Sequence, residues 1–404
     1  MSLYDSAIDQ QATTAPSRAV AAHFPTFEGL RALCALGIVA YHAGTFTGLT
    51  LGRDPAPYGP GAWAQHLNIG VSIFFVLSGF LLFRPFVLAH LREERLPPVG
   101  RYLLRRLVRI YPAYWLALAV TVLVLDLDLG DWWATVRIYA LAQIYWGDTV
   151  FSGLVQAWSL CTEVSFYLFL PLWAGVLARQ GGTLARRVQA HYVALAGLYV
   201  LGVVVRARLR GGGHAIGYAT LPANIDLFAI GMALAVASAA ATVRGSAPRG
   251  ALRVLGELPG LAWLAALCVY GALVSMRFPY GFDAPTVFQE VTRQVLFGVI
   301  ALLVVAPGVF GPQDQGTVRA VLRWKPLVGV GVVSYGVYLW HLTVMAELDD
   351  VGSFIYPVSY LSLTFWSVAI SVALASISWF ALERPLMRGV RRNQRRRGRQ
   401  KGAR

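Results

Sequence analysis

An arginine and a histidine, Arg31 and His42, sit inside an apolar run otherwise long enough to cross a bilayer. A cation near the middle of a membrane helix costs roughly 2.5 to 3.5 kcal/mol on insertion scales, so such residues mark functional sites by default. At about 100° per residue, eleven residues return nearly to the same helix face with a rise of about 16 Å. Both side chains are therefore expected to look into one interior, three turns apart. An imidazole there can take a hydroxyl proton at neutral pH. The plainer alternative is an arginine that snorkels to the interface and a histidine that packs.

Two further runs carry polar stripes. Ser159, Glu163 and Tyr167 follow at i, i+4 and i+8 in the fourth run, and Ser334, Tyr338 and His341 at i, i+4 and i+7 in the ninth. Counting residues from the ends of the runs puts His42, Glu163 and His341 at one depth in the outer half. The expectation is a base, a carboxylate and a second histidine facing one outward-open cavity. Glu163 paired to a buried arginine, and His341 as a satisfied interfacial residue beside Trp340, are the alternatives. Residues 84–109 read as a cytoplasmic loop rich in arginine, with Arg101, Arg105, Arg106 and Arg109 among them. Guanidinium groups suit bidentate phosphate contacts, so this loop is a candidate site for a polyphosphate such as coenzyme A. Such clusters also set topology without binding anything. No HExxH or CxxC spacing is present, no metal is expected, and no serine sits in a nucleophile elbow.

The elements that must position these residues are ten apolar runs, at about 29–47, 68–88, 110–128, 157–177, 192–209, 219–240, 259–276, 290–310, 329–347 and 357–382. With 57% hydrophobic and 14% charged residues, the chain reads as an all-α integral membrane protein of about ten transmembrane helices. The net charge of +15 suggests nucleic acid at first sight, but most of the 35 Lys and Arg residues fall in loops on one side once the N-terminus is placed inside. That is the positive-inside pattern, with both termini cytoplasmic and no nucleic-acid partner. Residues 1–26 contain no apolar signal core and read as a disordered tail, with the first run a retained helix; 27–386 form the membrane-embedded domain. Residues 387–404 form a basic tail suited to anionic headgroups. Cys34, Cys161 and Cys268 lie in apolar runs and point to packing rather than disulfides. The aromatic stretch 131–147 is expected to lie at the outer interface, since an eleventh span would put the arginine-rich tail outside.

Six segments, FEGLRALCALGIVAYH (27–42), IGVSIFFVLSGFLLFRP (69–85), RRLVRIYPAYW (105–115), QAWSLCTEVSFYLFLPL (156–172), SYGVYLWH (334–341) and SWFALERPL (378–386), resemble the successive signatures of the membrane-bound acyltransferase family 3. The resemblance implies an integral membrane O-acyltransferase at the cell membrane. Its expected reaction moves a small acyl group from cytoplasmic acyl-CoA to a hydroxyl, usually of a sugar in an envelope polysaccharide, glycolipid or secreted metabolite. The family's basic-x10-His pattern maps onto Arg31 and His42, and its Arg-x-x-Arg pattern onto Arg106 and Arg109. The Trp-Ser-Leu-x-x-Glu element maps onto Trp158, Ser159, Leu160 and Glu163. Many members read Glu-Glu in that element; here Thr162 precedes Glu163, which puts any two-carboxylate role in doubt. No hydrolase-like domain of the kind some members carry is present, so the membrane core is expected to recognise the acceptor.

On this reading Arg31, His42 and Glu163 are catalytic candidates and Arg101, Arg105, Arg106 and Arg109 hold the donor. Ser78, Ser159, Tyr167, Tyr338 and His341 are candidates for lining the substrate route. Ser78 beside Gly79 fits close helix packing equally well. The same intramembrane His, Glu and Arg also suit a proton-coupled transporter, although neither an inverted repeat nor paired broken helices is visible. A scaffold without catalysis would leave the buried Arg31 and His42 unexplained. Arg206, Arg208 and Arg210 lie outside against the charge rule and are candidates for contact with an anionic glycan. Acyl group, acceptor and oligomeric state stay open.

Overall fold

The computed structural model describes residues 24–50, 59–211, 215–279, 285–355, 359–390 and 392, and among them there is helix and turn but no strand. The helices are α1 (Phe27–Phe46), α2 (Pro60–Ala64), α3 (Ile69–Leu91), α4 (Val99–Val124), α5 (Trp132–Tyr139), α6 (Trp158–Leu177) and α7 (Leu184–Gly211). The second half has α8 (Ile225–Arg244), α9 (Ala251–Glu257), α10 (Pro259–Ser275), α11 (Val287–Val309), α12 (Thr317–Leu322), α13 (Lys325–Ile355) and α14 (Tyr360–Ser378). Nine helical spans among the described residues are long and apolar enough to cross a bilayer, and α10 makes a tenth when joined to α9 across a 106° bend. All ten runs read from the sequence have a helix. The two tails, 1–26 and 387–404, fall mostly outside the described residues.

Two expectations about elements are corrected. The third span is not preceded by a long loop: α4 begins at Val99, so Arg101, Arg105, Arg106 and Arg109 stand on a helix. Hydropathy finds only the apolar part of this amphipathic helix, whose first turns carry arginine at i, i+4, i+5 and i+8. The ninth helix likewise outruns its apolar stretch, reaching from Lys325 to Ile355. The 131–147 segment, by contrast, holds only the eight-residue α5 and a 3-10 turn, about 12 Å of helix and too short to cross. Asp131 caps it by accepting from Ala134 N at 2.7 Å. Trp132 and Trp133 are exposed, as suits a membrane interface.

Lipid tails are as apolar as leucine, so helices associate here through close packing of small residues rather than through exclusion from water. The tightest pair is α3 with α8. A side chain on Gly79 would run into the Phe228 carbonyl, and one on Gly231 into that of Val76. Helix α8 is built for this contact, with Ala229, Ala235, Ala237, Ala239 and Ala240 all buried. Helices α1 and α13 pair in the same way, with Gly331 against the Glu28 carbonyl. Polar groups between helices are satisfied locally. Thr121 and Thr343 lie 2.7 Å apart between α4 and α13, and Arg84 donates to Ser238 at 3.0 Å between α3 and α8. Buried Arg319 donates to the carbonyls of Pro307 and Phe310, which closes the end of α11.

Replacing Gly231 with valine is expected to separate α3 from α8, at a cost of about 1–3 kcal/mol, and to lower the thermal unfolding midpoint in detergent. Gly175→Ala, where nothing lies within reach of the added carbon, should leave that midpoint unchanged.

Candidate active site

Helices α1, α3, α4, α6 and α13 enclose a cavity of about 810 Å³ in the body of the bundle. Arg31, Ser78, Arg106, Arg109, Ser159, Glu163, Tyr167 and Tyr338 all line it. The i, i+4, i+8 stripe of α6 therefore faces the interior as its spacing requires. Ser78 donates a hydrogen bond to Glu163 Oε1. Its neighbour Gly79 packs on α8, so the Ser-Gly pair serves both readings made of it: the serine lines the route and the glycine allows the contact. Arg31 is paired to Glu28 at 3.2 Å. Among the described residues no arginine lies within ion-pair distance of Glu163, and its carboxylate is held by the serine instead. The Tyr338 and Ser159 hydroxyls are 2.7 Å apart, and Tyr338 also donates to the Gln156 carbonyl at 2.9 Å.

A second cavity of about 630 Å³ opens at the arginine-rich end, between the last turns of α3 and the first turns of α4. Arg101, Arg105 and Arg106 line it with Tyr102, and Arg106, Leu81 and Leu82 are walls of both cavities. Arg106 Nε and Tyr102 Oη are buried without a hydrogen-bond partner. The wall is cationic, with guanidinium groups of the kind that contact anions, although buried polar atoms elsewhere, Ser367 and Ser371 on α14 among them, also lack a partner.

His42 and His341 are brought together but do not line the central cavity. His341 Nε2 is 2.9 Å from His42 Nδ1, and His341 Nδ1 lies 2.8 Å from the Tyr338 carbonyl. A carbonyl only accepts, so His341 carries its proton on Nδ1 and offers the Nε2 lone pair. His42 Nδ1, also 3.1 Å from the Ile38 carbonyl, must then be the N–H donor. Its Nε2 keeps a bare lone pair, the form a proton acceptor needs. The shared depth with Glu163 is a correction. From Glu163 back to Ser159 is one turn, Ser159 meets Tyr338, and His341 lies three residues farther along α13. Together these put the histidine pair about 10 Å beyond Glu163, toward the end of the bundle away from the arginines.

The sequence reading passed over several residues here. Tyr335 walls the central cavity and donates to the Ile110 carbonyl at 2.8 Å. Gln156, fully packed between α6 and α13, donates to the Leu339 carbonyl at 2.6 Å and joins the two stripes. Both lie beside residues that were singled out, and only the pairing of helices reveals their part. Of the outer arginines, Arg206 is committed to Glu290 at 2.9 Å and Arg210 to the Pro285 carbonyl, while Arg208 stays exposed.

Residues 24–376 match the family described as the acyltransferase domain. The chain belongs to this acyltransferase family. With nine helices among the described residues long and apolar enough to cross a bilayer, ten counting the bent α9–α10 pair, it is a multi-pass membrane protein. It is 27% identical over 391 residues to YrhL of Bacillus subtilis, named as a candidate peptidoglycan O-acetyltransferase, covering 90% of this chain and 55% of that protein. It is 24% identical over 385 residues to OatA of Listeria monocytogenes, a peptidoglycan O-acetyltransferase, covering 90% and 56%. The chain thus spans little more than half the length of these relatives. No solved structure matches it.

The hydrogen bonds require a protonated Nδ1 and a bare Nε2 on His42. Solid-state ¹⁵N NMR of histidine-labelled protein, assigned with a His42→Gln variant, should show that tautomer. In His341→Ala the His42 signals should shift toward a tautomer mixture; an Nε2–H form in the parent would show that the network is wrongly assigned.

Proposed function

We propose that the protein is a membrane O-acyltransferase that takes an acyl group from acyl-CoA at its arginine-rich end and passes it to a sugar hydroxyl arriving from the opposite end. The observation that carries this reading is the cationic mouth with two orphaned donors, sharing Arg106 with a cavity walled by Ser78, Glu163 and Ser159. The arginine-rich end faces the cytoplasm on this reading, by the positive-inside rule, and both termini lie there. The CoA phosphates sit against Arg101, Arg105 and Arg106, and the thioester arm passes Arg109 and Arg31 into the cavity.

His42 acts as the base. Its Nε2 takes the acceptor proton as the hydroxyl oxygen attacks the thioester carbonyl, while Nδ1–H stays donated toward His341 and Ile38, which steadies the imidazolium. The C–S bond then breaks and the thiolate recovers the proton from Nε2. Glu163 and Ser78 orient the reacting arm, and holding two reactants that belong to opposite compartments in one passage supplies the main rate gain. The acceptor is an envelope glycan, by analogy with the peptidoglycan named for the relatives. A proton-coupled transporter is not favoured, because the family match runs across nearly all the spans.

Mass spectrometry of base-labile esters in the envelope tests this in parent, deletion and variant strains at matched membrane abundance. One ester is expected to vanish on deletion. His42→Ala should lower it roughly 10²–10⁴-fold, the range for loss of a general base. In purified protein, Arg106→Ala should raise the donor KM roughly tenfold or more, as loss of a charged hydrogen bond predicts, with a smaller change in kcat. Esters unchanged on deletion would remove the transferase reading.

A further inference from the structure

A third cavity, of about 910 Å³, lies at the end of the bundle opposite the arginine mouth, among α1, α3, α6, α7 and α11. It shares Val71 and Phe75 with the central cavity. One face of α3 thus lines the whole passage: Asn68, Val71, Ser72 and Phe75 in the outer cavity, then Ser78, then Leu81, Leu82, Pro85 and Phe86 toward the mouth. Eighteen residues of helix rise about 27 Å, close to the roughly 30 Å of a bilayer's hydrocarbon core.

The polar wall of this cavity is built and held in place. Arg206 donates to Glu290 at 2.9 Å, to the Ala223 carbonyl at 3.0 Å and to Asn224 Oδ1 at 3.2 Å. Arg293 pairs with the other oxygen of Glu290. Gln294 spends its amide N–H on buried Asp226, at 2.9 and 3.2 Å, which leaves its carbonyl oxygen as an acceptor. Asn68 Oδ1 is buried and has no partner. Arg206 and Arg293 share the one carboxylate of Glu290, and Asp226, which is in no ion pair among the described residues, lies behind Gln294, so two carboxylates stand close behind the two guanidiniums of the wall. The remaining wall is aromatic. Phe75 stacks on Phe228 with centroids 4.7 Å apart and meets the edge of Trp158 at 6.3 Å, and Phe297 closes the side.

We infer that this outer cavity is the acceptor site and that it takes an uncharged, hydroxyl-bearing sugar residue, presenting one hydroxyl past Val71 and Phe75 to the donor. The inference rests on the acyl-transfer reading. Rigid donors and acceptors around an aromatic floor fit a ring with polar edges and apolar faces. A phosphorylated ligand would have to compete with the Glu290 carboxylate that both guanidiniums already hold. A lipid chain would leave the Asn68 and Gln294 oxygens buried and unsatisfied, which costs about 1–3 kcal/mol for each group.

The test blocks the cavity from outside. Cys34 and Cys161 are buried and Cys268 is exposed, so Ser72→Cys and, separately, Asn68→Cys are made in the full chain with Cys268→Ala. Intact cells are treated with a membrane-impermeant methanethiosulfonate, new envelope esters are measured, and CoA binding is measured on the purified, modified protein. The expected result is modification at both positions, ester formation reduced to the level of the deletion strain, and CoA binding unchanged. Modification without loss of esters, absence of modification at both positions, or loss of CoA binding together with esters overturns the inference. If the untreated Cys268→Ala parent itself makes no ester beyond the deletion strain, the acyl-transfer reading has failed instead, a separate and recognisable outcome.

Discussion

The backbone contact between α3 and α8 is the constraint on which the passage depends. With Gly79 on one helix and Gly231 on the other, α3 spends one narrow face on α8 and keeps the opposite face for polar work. A wider contact would turn Ser78 away from Glu163 and draw Val71 and Phe75 out of the wall they share between two cavities. Sequence, packing and chemistry meet in three residues: Ser78 faces the cavity, Gly79 faces α8, and Phe80 packs on Phe27 of α1 at 5.6 Å. That last contact brings α1, and with it Arg31, to the same level.

A passage through hydrocarbon must also satisfy its own polar groups, because no water stands behind the wall. The protein does this in short closed circuits. Ser159, Tyr338 and Gln156 bond to one another and to backbone; His42 and His341 do likewise; Arg206, Glu290 and Arg293 form a third group. Not every buried polar group is satisfied this way. Arg106 Nε and Tyr102 Oη at the mouth and Asn68 Oδ1 at the far end lack partners beside cavities, and Ser367 and Ser371 on α14 lack them away from any of the three cavities.

Much of this was legible in the residues. Run lengths and the charge rule placed ten spans, and the helical spacing of Ser159, Glu163 and Tyr167 correctly put them on one inward face. Intramembrane cost alone singled out Arg31. What was missed depends on which helices meet. The first turns of α4 escaped because arginine lowers hydropathy while leaving helical periodicity intact. The outer cavity escaped because the i, i+4 pair Asn68 and Ser72 at the start of α3 meets Arg206 and Gln294 only through helices α7 and α11, far along the chain. The two histidines were singled out separately, and their contact with each other, across 299 residues of chain, is visible only once α1 and α13 pair.

That contact changes the chemistry. A carboxylate beside an imidazole would make Glu163 the orienting partner of His42, but the partners of His42 Nδ1 are His341 and the Ile38 carbonyl, while Glu163 is bonded to Ser78. Both are neutral acceptors, so His42 gains a fixed tautomer without a buried negative charge beside it. Glu163 is left with Ser78 in the central cavity that Arg31 also lines, and Val71 and Phe75, common to the central and outer cavities, are where the two polar halves of the bundle meet.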